Sequence, residues 1–282
     1  MKDMKQIMLT DVHTHSAFSC DGVSPLAEML QTAYGKGVAF YGVAEHADYG
    51  ENLSEELPPL NEEEYFHTAR HLQEDYAGAM NVLIGLEFGY DKDEKVHTRC
   101  ASIVEKYQPD FVVNSIHLRD KVDYYHQEPY YKQENGKRVL RDKKQVYAEY
   151  LQLVLQSLDA PYPYDIVGHL GYPVRYAPYQ DRAMRYQEFP QLFDKALKTI
   201  IAKNKILEVN ASANGSGEIS FACPDVLKRY FELGGRQVSY ASDAHVKESI
   251  LRNRENVVQM LKEIGFTYLT VPCRGEYIKV EI

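Results

Sequence analysis

Tryptophan is missing from this 282-residue chain and cysteine is scarce. Cys20, Cys100, Cys223 and Cys273 stand far apart, with no CxxC pair among them. Scattered thiols in a chain long enough to bury a sizeable core argue against a disulfide framework and for reduced cysteines in a cytosolic protein. No apolar run reaches the roughly 18 residues of a membrane span. The opening "MKDMKQIMLTD" lacks the long apolar segment of a signal peptide. Basic residues are outnumbered 32 to 41, giving a formal charge of −9. That balance argues against a general nucleic-acid or anionic-membrane binder, which needs a basic face. It leaves a phosphate-bearing substrate open, because bound cations dominate the local field of a site. There is no internal repeat and no low-complexity linker. The expectation is one domain, 1–282, in the cytoplasm, with no nucleic-acid or membrane partner.

What is present is an alternation of two patterns. Short β-branched runs occur at Gln6–Val12, Phe40–Ala44, Asn81–Phe88, Asp110–Ile116, Asp165–His169, Ile206–Ala211 and Gln237–Asp243. Longer helical stretches lie between them. "SPLAEMLQTAYGKG" offers Ser24 as cap and Pro25 as first helical residue, and "NEEEYFHTARHLQEDYAG" offers Asn61 as cap with three glutamates behind it. Seven β-α units imply a parallel sheet. No glycine-rich phosphate loop follows the first strand, which favours a closed or nearly closed α/β barrel over a doubly wound sheet. The longest irregular region is Leu118–Leu140. It follows a strand, so it belongs at the barrel's C-terminal mouth. Its tyrosine cluster, Tyr124–Tyr131, either forms a lid or packs the loop.

Polar residues collect at the ends of these strands. Asp11, His13 and His15 follow the first, with Asp21 close behind; Glu45 and His46 follow the second. Glu87 ends the third, His117 the fourth, His169 the fifth, and Asp243 with His245 the seventh. A lone strand-end histidine is usually structural. Six of ten histidines at strand ends are a different matter, since in a parallel barrel those ends share one mouth. Imidazole with carboxylate suits Zn, Mn or Fe, and there are more ligands than one ion needs. Two or three divalent ions sharing a carboxylate satisfy them. His67, His71 and His97 read as solvated helix residues, and His126 sits in the long loop.

The ordered set "DVHTHS", "EH", "GLE", "SIH", "GH" and "SDAH" resembles the polymerase and histidinol phosphatase (PHP) superfamily. The layout from Leu9 to His245 is similar to its stand-alone histidinol-phosphate phosphatase branch. That resemblance implies a distorted (β/α)7 TIM-like barrel with a trinuclear metal centre. Carried over, one ion takes His13, His15, Glu87 and Asp243; a second takes Glu87, His117 and His169, with Glu87 bridging; a third takes Asp21, His46 and His245. Asp11 and, by extension, Glu45 then orient ligands without touching metal. The implied reaction is hydrolysis of a small phosphate monoester, histidinol phosphate first, by a hydroxide bridging two ions. Arg175 in "GHLGYPVRY" is the foremost candidate for the phosphoryl oxygens, with Arg119 and Arg182 behind it. Asp243 or His245 would protonate the leaving alcohol.

The chain departs from that branch in one place. After the sixth strand the branch carries an arginine that helps hold phosphate. Here the segment reads "VNASANGSGEISFACPD", with Asn214 and Gly215 where the arginine is expected. A glycine-rich turn could hold an oxyanion by its N–H groups, or the substrate is another phosphate ester or a nucleotide. A polymerase-associated exonuclease would need a basic stripe, and a non-catalytic metal-binding barrel would show lost ligands; neither feature is found.

Overall fold

The structure is a computed structural model that describes residues 8–50, 59–212 and 223–282. Seven parallel strands form one sheet in chain order: β1 (Leu9–Asp11), β2 (Val38–Ala47), β3 (Asn81–Gly89), β4 (Phe111–Ser115), β5 (Ile166–Val167), β6 (Ile206–Asn210) and β7 (Val238–Ala241). Just past β1, Thr14 bridges Ala244 in parallel, and Asp243 N–H donates to the His13 carbonyl at 3.0 Å. The sheet thereby curls into a nearly closed barrel. Gln6 and Ile7 of the expected first strand lie outside the described residues.

Among the described residues, seven α-helices run between and after the strands: α1 (Leu26–Gly35), α2 (Glu62–Asp75), α3 (Glu94–Tyr107), α4 (Lys143–Ser157), α5 (Pro190–Ala202), α6 (Pro224–Glu232) and α7 (Arg254–Ile264). Each buries one stripe on the barrel. In α5 that stripe is Phe193, Ala196, Leu197 and Ile200, the i, i+3, i+4, i+7 spacing of an amphipathic helix. Helices outside and side chains inside cover both faces of the strands, so β3 is buried from Val82 through Gly89. Asn61 caps α2 as expected, accepting from Glu64 N–H. Ser24 does not cap α1. Pro25 occupies that place, and the Ser24 hydroxyl instead accepts the Lys247 N–H at 3.1 Å, tying α1's start to the loop after β7.

The barrel interior is a distinct apolar cluster that includes Val12, Ala44, Leu83, Phe111, Val113, Ile166 and Ile206. Its floor is a hairpin of β8 (Tyr268–Cys273) and β9 (Glu276–Glu281), which contributes Val271 and Val280. Arg274 at the hairpin turn clasps Asp110, the residue before β4. Asp110 also accepts from Ile84 N–H, Arg70 and Gln73.

The region Leu118–Leu140 is more ordered than its sequence suggested. It holds two small hairpins, Leu118–Arg119 with Val122–Asp123 and Tyr131–Glu134 with Lys137–Leu140. Asn135 and Gly136, with φ of 52° and 73°, make the tight turn of the second. Tyr124 and Tyr130 are fully buried, and the Tyr130 hydroxyl donates to the carbonyls of Tyr124 and Pro173. These two pack the loop, while Tyr125 is exposed.

Candidate metal centre

All nine residues expected to hold metal converge at the C-terminal mouth. Strand register does part of this work: His46 on β2 lies directly beside Glu87 on β3. His13 and His15 follow β1, His117 follows β4, and His169 follows β5. Asp243 and His245 follow β7, where Asp243 takes a left-handed backbone conformation (φ 52°) that aspartate tolerates better than most residues.

The histidines meet in three pairs, Nε2 against Nε2. His13 and His15 approach to 3.1 Å, His117 and His169 to 3.2 Å, and His46 and His245 to 3.3 Å. Each pair has a carboxylate. Glu87 Oε2 lies 3.2 and 3.6 Å from the first pair, and Glu87 Oε1 lies 3.2 and 2.9 Å from the second. Asp21 lies 3.6 and 3.2 Å from the third. Asp243 Oδ1 adds a contact of 3.3 Å to His15 Nε2. His46 belongs to more than its own pair, because its Nδ1 is 3.0 Å from Glu87 Oε2. The third group is therefore continuous with the other two, a link that the separate ligand sets did not contain. Exposure rises along the cluster, from 0% at His13, His15 and Glu87 to 23% at His245 and 55% at Asp21.

This donor set fits divalent cations. Two nitrogens at the usual zinc–nitrogen distance and a tetrahedral angle stand about 3.3 Å apart, the spacing seen in all three pairs. Glu87 Oε2 and His46 Nδ1 are buried and, apart from their own 3.0 Å approach to each other, have no hydrogen-bond partner, a costly arrangement that a cation would relieve. The electrostatics carry the same demand for positive charge. Burial works to raise the Glu87 carboxyl, but His13, His117, His169 and His46 outweigh it and hold it far below the ordinary range. Burial pulls His46 down, but Asp21, Glu87 and Asp48 push it up to about 9. His15 is held well below its usual value by burial and by the neighbouring imidazoles of His46 and His245.

The outer ring differs from expectation. Asp11 does not touch the histidines. Its carboxylate accepts the N–H groups of Ser242 and Leu251, both at 3.0 Å, and so fixes the loop that carries Asp243 and His245. Burial drives its carboxyl up to about 6 against those bonds. Glu45 accepts from Ser16 N–H and from the hydroxyls of Ser16 and Ser19. Ser19 Oγ in turn accepts His46 N–H and lies 3.3 Å from His15 Nδ1. Two carboxylates that sequence reasoning missed hold ligand rings directly. His13 Nδ1 donates to Glu208 Oε2 at 2.6 Å, and His117 Nδ1 donates to Asp48 Oδ1 at 3.0 Å. An acid in the middle of the buried run "ILEVN" was the available signal for Glu208, since such a charge needs a partner. Asp48, three residues past Glu45, looked like any loop acid.

Of the arginines, Arg175 is at the mouth. It lies 4.0 Å from Asp243 Oδ2, half-buried, with its guanidinium over the Tyr176 ring. Tyr172 extends this wall, stacked on His169, and donates its hydroxyl to Asp123. Arg119 is turned to other uses: it pairs with Glu149 at 3.2 Å and donates to the Pro129 carbonyl. Arg182 is exposed; its guanidinium donates to the Arg175 carbonyl at 3.4 Å, and its own carbonyl accepts the Tyr147 hydroxyl at 2.7 Å. Asn214 and Gly215 lie outside the described residues. His67, His71 and His126 are exposed, and His97 donates to the Asp91 carbonyl. No described helix is long and apolar enough to cross a membrane.

A barrel of this topology with such a mouth has relatives. The PHP domain profile matches residues 11–212, and the chain belongs to that family. It is 31% identical over 254 residues to the "Probable histidinol-phosphatase" of Clostridium acetobutylicum, covering 90% of this chain and 92% of that one. It is 26% identical over 259 residues to the "Histidinol-phosphatase" of Lactococcus lactis, covering 91% of each. The crystal structure of histidinol phosphate phosphatase from Lactococcus lactis, complexed with zinc, L-histidinol and phosphate, superposes with a TM-score of 0.83 at 25% identity. That match covers 97% of this chain and 100% of the other.

Proposed function

We propose that this chain is a metal-dependent phosphomonoesterase that hydrolyses L-histidinol phosphate to L-histidinol and phosphate. The observation that carries the reading is the set of three facing histidine pairs joined by Glu87. His13, His15, Glu87 and Asp243 hold one divalent ion; Glu87, His117 and His169 a second; Asp21, His46 and His245 a third. Zinc is the first candidate and manganese or iron the alternatives. Such ions, when bound, supply Lewis acidity to the phosphoryl group and lower the pKa of water.

The chain's own groups do the rest. Glu87 touches two ligand pairs and sets their separation. Arg175 offers a planar fork to the phosphoryl oxygens from the rim, while Arg119 and Arg182 are engaged elsewhere and would have to swing to reach substrate. Asp243, 4.0 Å from Arg175, or His245 gives the leaving alcohol its proton. The same reading takes 1–282 as one catalytic domain, acting in the cytosol on a small phosphate ester. A second reading, hydrolysis of another phosphate ester or a nucleotide, is favoured by one observation: residues 210–222 contain no arginine.

Elemental analysis of the purified protein and a panel of phosphomonoesters assayed with zinc or manganese test both levels. Two to three transition-metal ions per chain and a clear preference for histidinol phosphate over p-nitrophenyl phosphate are expected. Fewer than one ion per chain overturns the metal centre, and equal rates on the two esters overturn the substrate.

A further inference from the structure

Glu208 is fully enclosed at the barrel's centre line, three residues into β6, and it reaches two halves of the centre at once. Oε2 accepts His13 Nδ1–H at 2.6 Å. Oε1 accepts the backbone N–H of His169 at 3.0 Å and Asn210 Nδ2–H at 2.9 Å. Asn210 Nδ2 also lies 3.3 Å from Asp243 Oδ2. One carboxylate thus contacts a residue of the first pair, the backbone of the second, and a bridge to Asp243.

We propose that Glu208 is the positioning residue that selects the ring tautomer of His13 and keeps the His13 and His169 subsites in fixed relation. The proposal rests on the metal-centre reading above. The argument is one of donors and acceptors. A carboxylate can only accept, so the proton of His13 must sit on Nδ1. Nε2, 3.2 Å from Glu87 Oε2 with no hydrogen bond between them, is then the nitrogen whose lone pair is left for a cation. Metal-bound histidines are generally fixed in this way through their second nitrogen. The opposite tautomer would turn an N–H into the cluster and remove one ligand.

Glu208→Gln separates tautomer selection from packing. The amide oxygen keeps the two donors on the Oε1 side, His169 N–H and Asn210. The amide NH2 is then left facing His13 Nδ1, which must become the acceptor and move its proton to Nε2. Zinc titration of the metal-free protein against a chromophoric chelator should show one ion per chain bound at least tenfold more weakly than in wild type. Glu208→Ala, which also frees His169 and Asn210, should weaken two. Long-range nitrogen–proton NMR of the metal-free protein adds a readout that packing alone does not move. It should find His13 protonated at Nδ1 in wild type and at Nε2 alone in Glu208→Gln.

Glu208→Gln with full stoichiometry and zinc affinity within threefold of wild type overturns the proposal. So does a wild-type His13 carrying its proton on Nε2 alone, a result that needs no variant to fold. Wild-type protein that binds no zinc, manganese or iron overturns the metal-centre reading itself. Wild type that binds metal beside an unaffected Glu208→Gln overturns only the role of Glu208.

Discussion

Gly89 ends β3 against the Asp48–His117 pair, and replacing it with alanine gives a graded test of how the outer carboxylates hold the centre. A Cβ at Gly89 would stand 1.6 Å from Asp48 Oδ1 and 2.8 Å from its Cγ, where ordinary contact begins at 3.4 Å. The Asp48 carboxylate must therefore withdraw by about 1.8 Å, taking it out of hydrogen-bond range. Its bonds to His117 Nδ1, at 3.0 and 3.2 Å, are lost. His117 then keeps its place at the end of β4 but not its ring orientation. Loss of such a partner costs about 10–100-fold in metal affinity, or about 1.4–2.7 kcal/mol. Zinc titration of metal-free Gly89→Ala should show one ion weakened by that factor, with circular dichroism unchanged. The ion of the His13–His15 pair should stay near wild-type affinity, and that of the His46 pair, whose Nδ1 lies 3.8 Å from Asp48 Oδ2, should change less than the His117 ion. Unchanged affinity for every ion would refute the reasoning, as would a structure of the variant with Asp48 still bonded to His117.

Other perturbations probe the remaining parts. Glu87→Ala should lose more metal and more activity than Asp21→Ala, because Glu87 serves two histidine pairs and Asp21 one; equal losses by elemental analysis count against the bridging role. Arg175→Ala should raise KM or lower kcat for a phosphate ester by about 10–100-fold, the scale of one charge-assisted contact in a site, and leave metal content intact. Metal loss in that variant would show a structural role instead. At the floor, Asp110→Asn should cost about 2–3 kcal/mol in urea unfolding at pH 7, since it weakens bonds to Arg70 and Arg274. Burial works to raise the Asp110 carboxyl, but Ile84 N–H, Arg274 and Arg70 hold it below the usual range. Its stabilisation is thus complete above the unfolded value near 3.9 and fades as pH falls through the lower folded value. Wild type should approach the variant's stability there; a gap that does not narrow as pH falls below the unfolded value would contradict the assignment.

The parts of this molecule that the chain announces are those fixed by period and position. Seven short β-branched runs were readable because strands buried on both faces need near-continuous apolar residues. The ligands were readable because each sits at a strand end, and parallel strands bring their ends together. What escaped was decided by pairing across the barrel. Glu208 acquires its meaning only from a histidine 195 residues away. Asp11 looked like a partner of its neighbours His13 and His15, yet it reaches to Ser242 and Leu251 on the far side of the barrel seam. The hairpin at Asn135–Gly136 did carry a local signal, an Asn-Gly turn between β-prone residues, which the polar composition of the region obscured. Ser24 has the residue type of a cap, but the adjacent loop after β7 competes for its hydroxyl.

The β8–β9 hairpin has a consequence for how the protein is made. Val271 and Val280 complete the interior cluster, and Arg274 fastens the hairpin to Asp110. During synthesis all seven barrel strands leave the ribosome before this floor does. Until residue 280 has emerged, the inner faces of Val12, Leu83, Ile166 and Ile206 are open to water from below. A chain broken off after His245 carries every histidine of the mouth and still lacks the plug that makes the barrel a closed solid. Nascent chains of that length are the ones that chaperones and proteases should see.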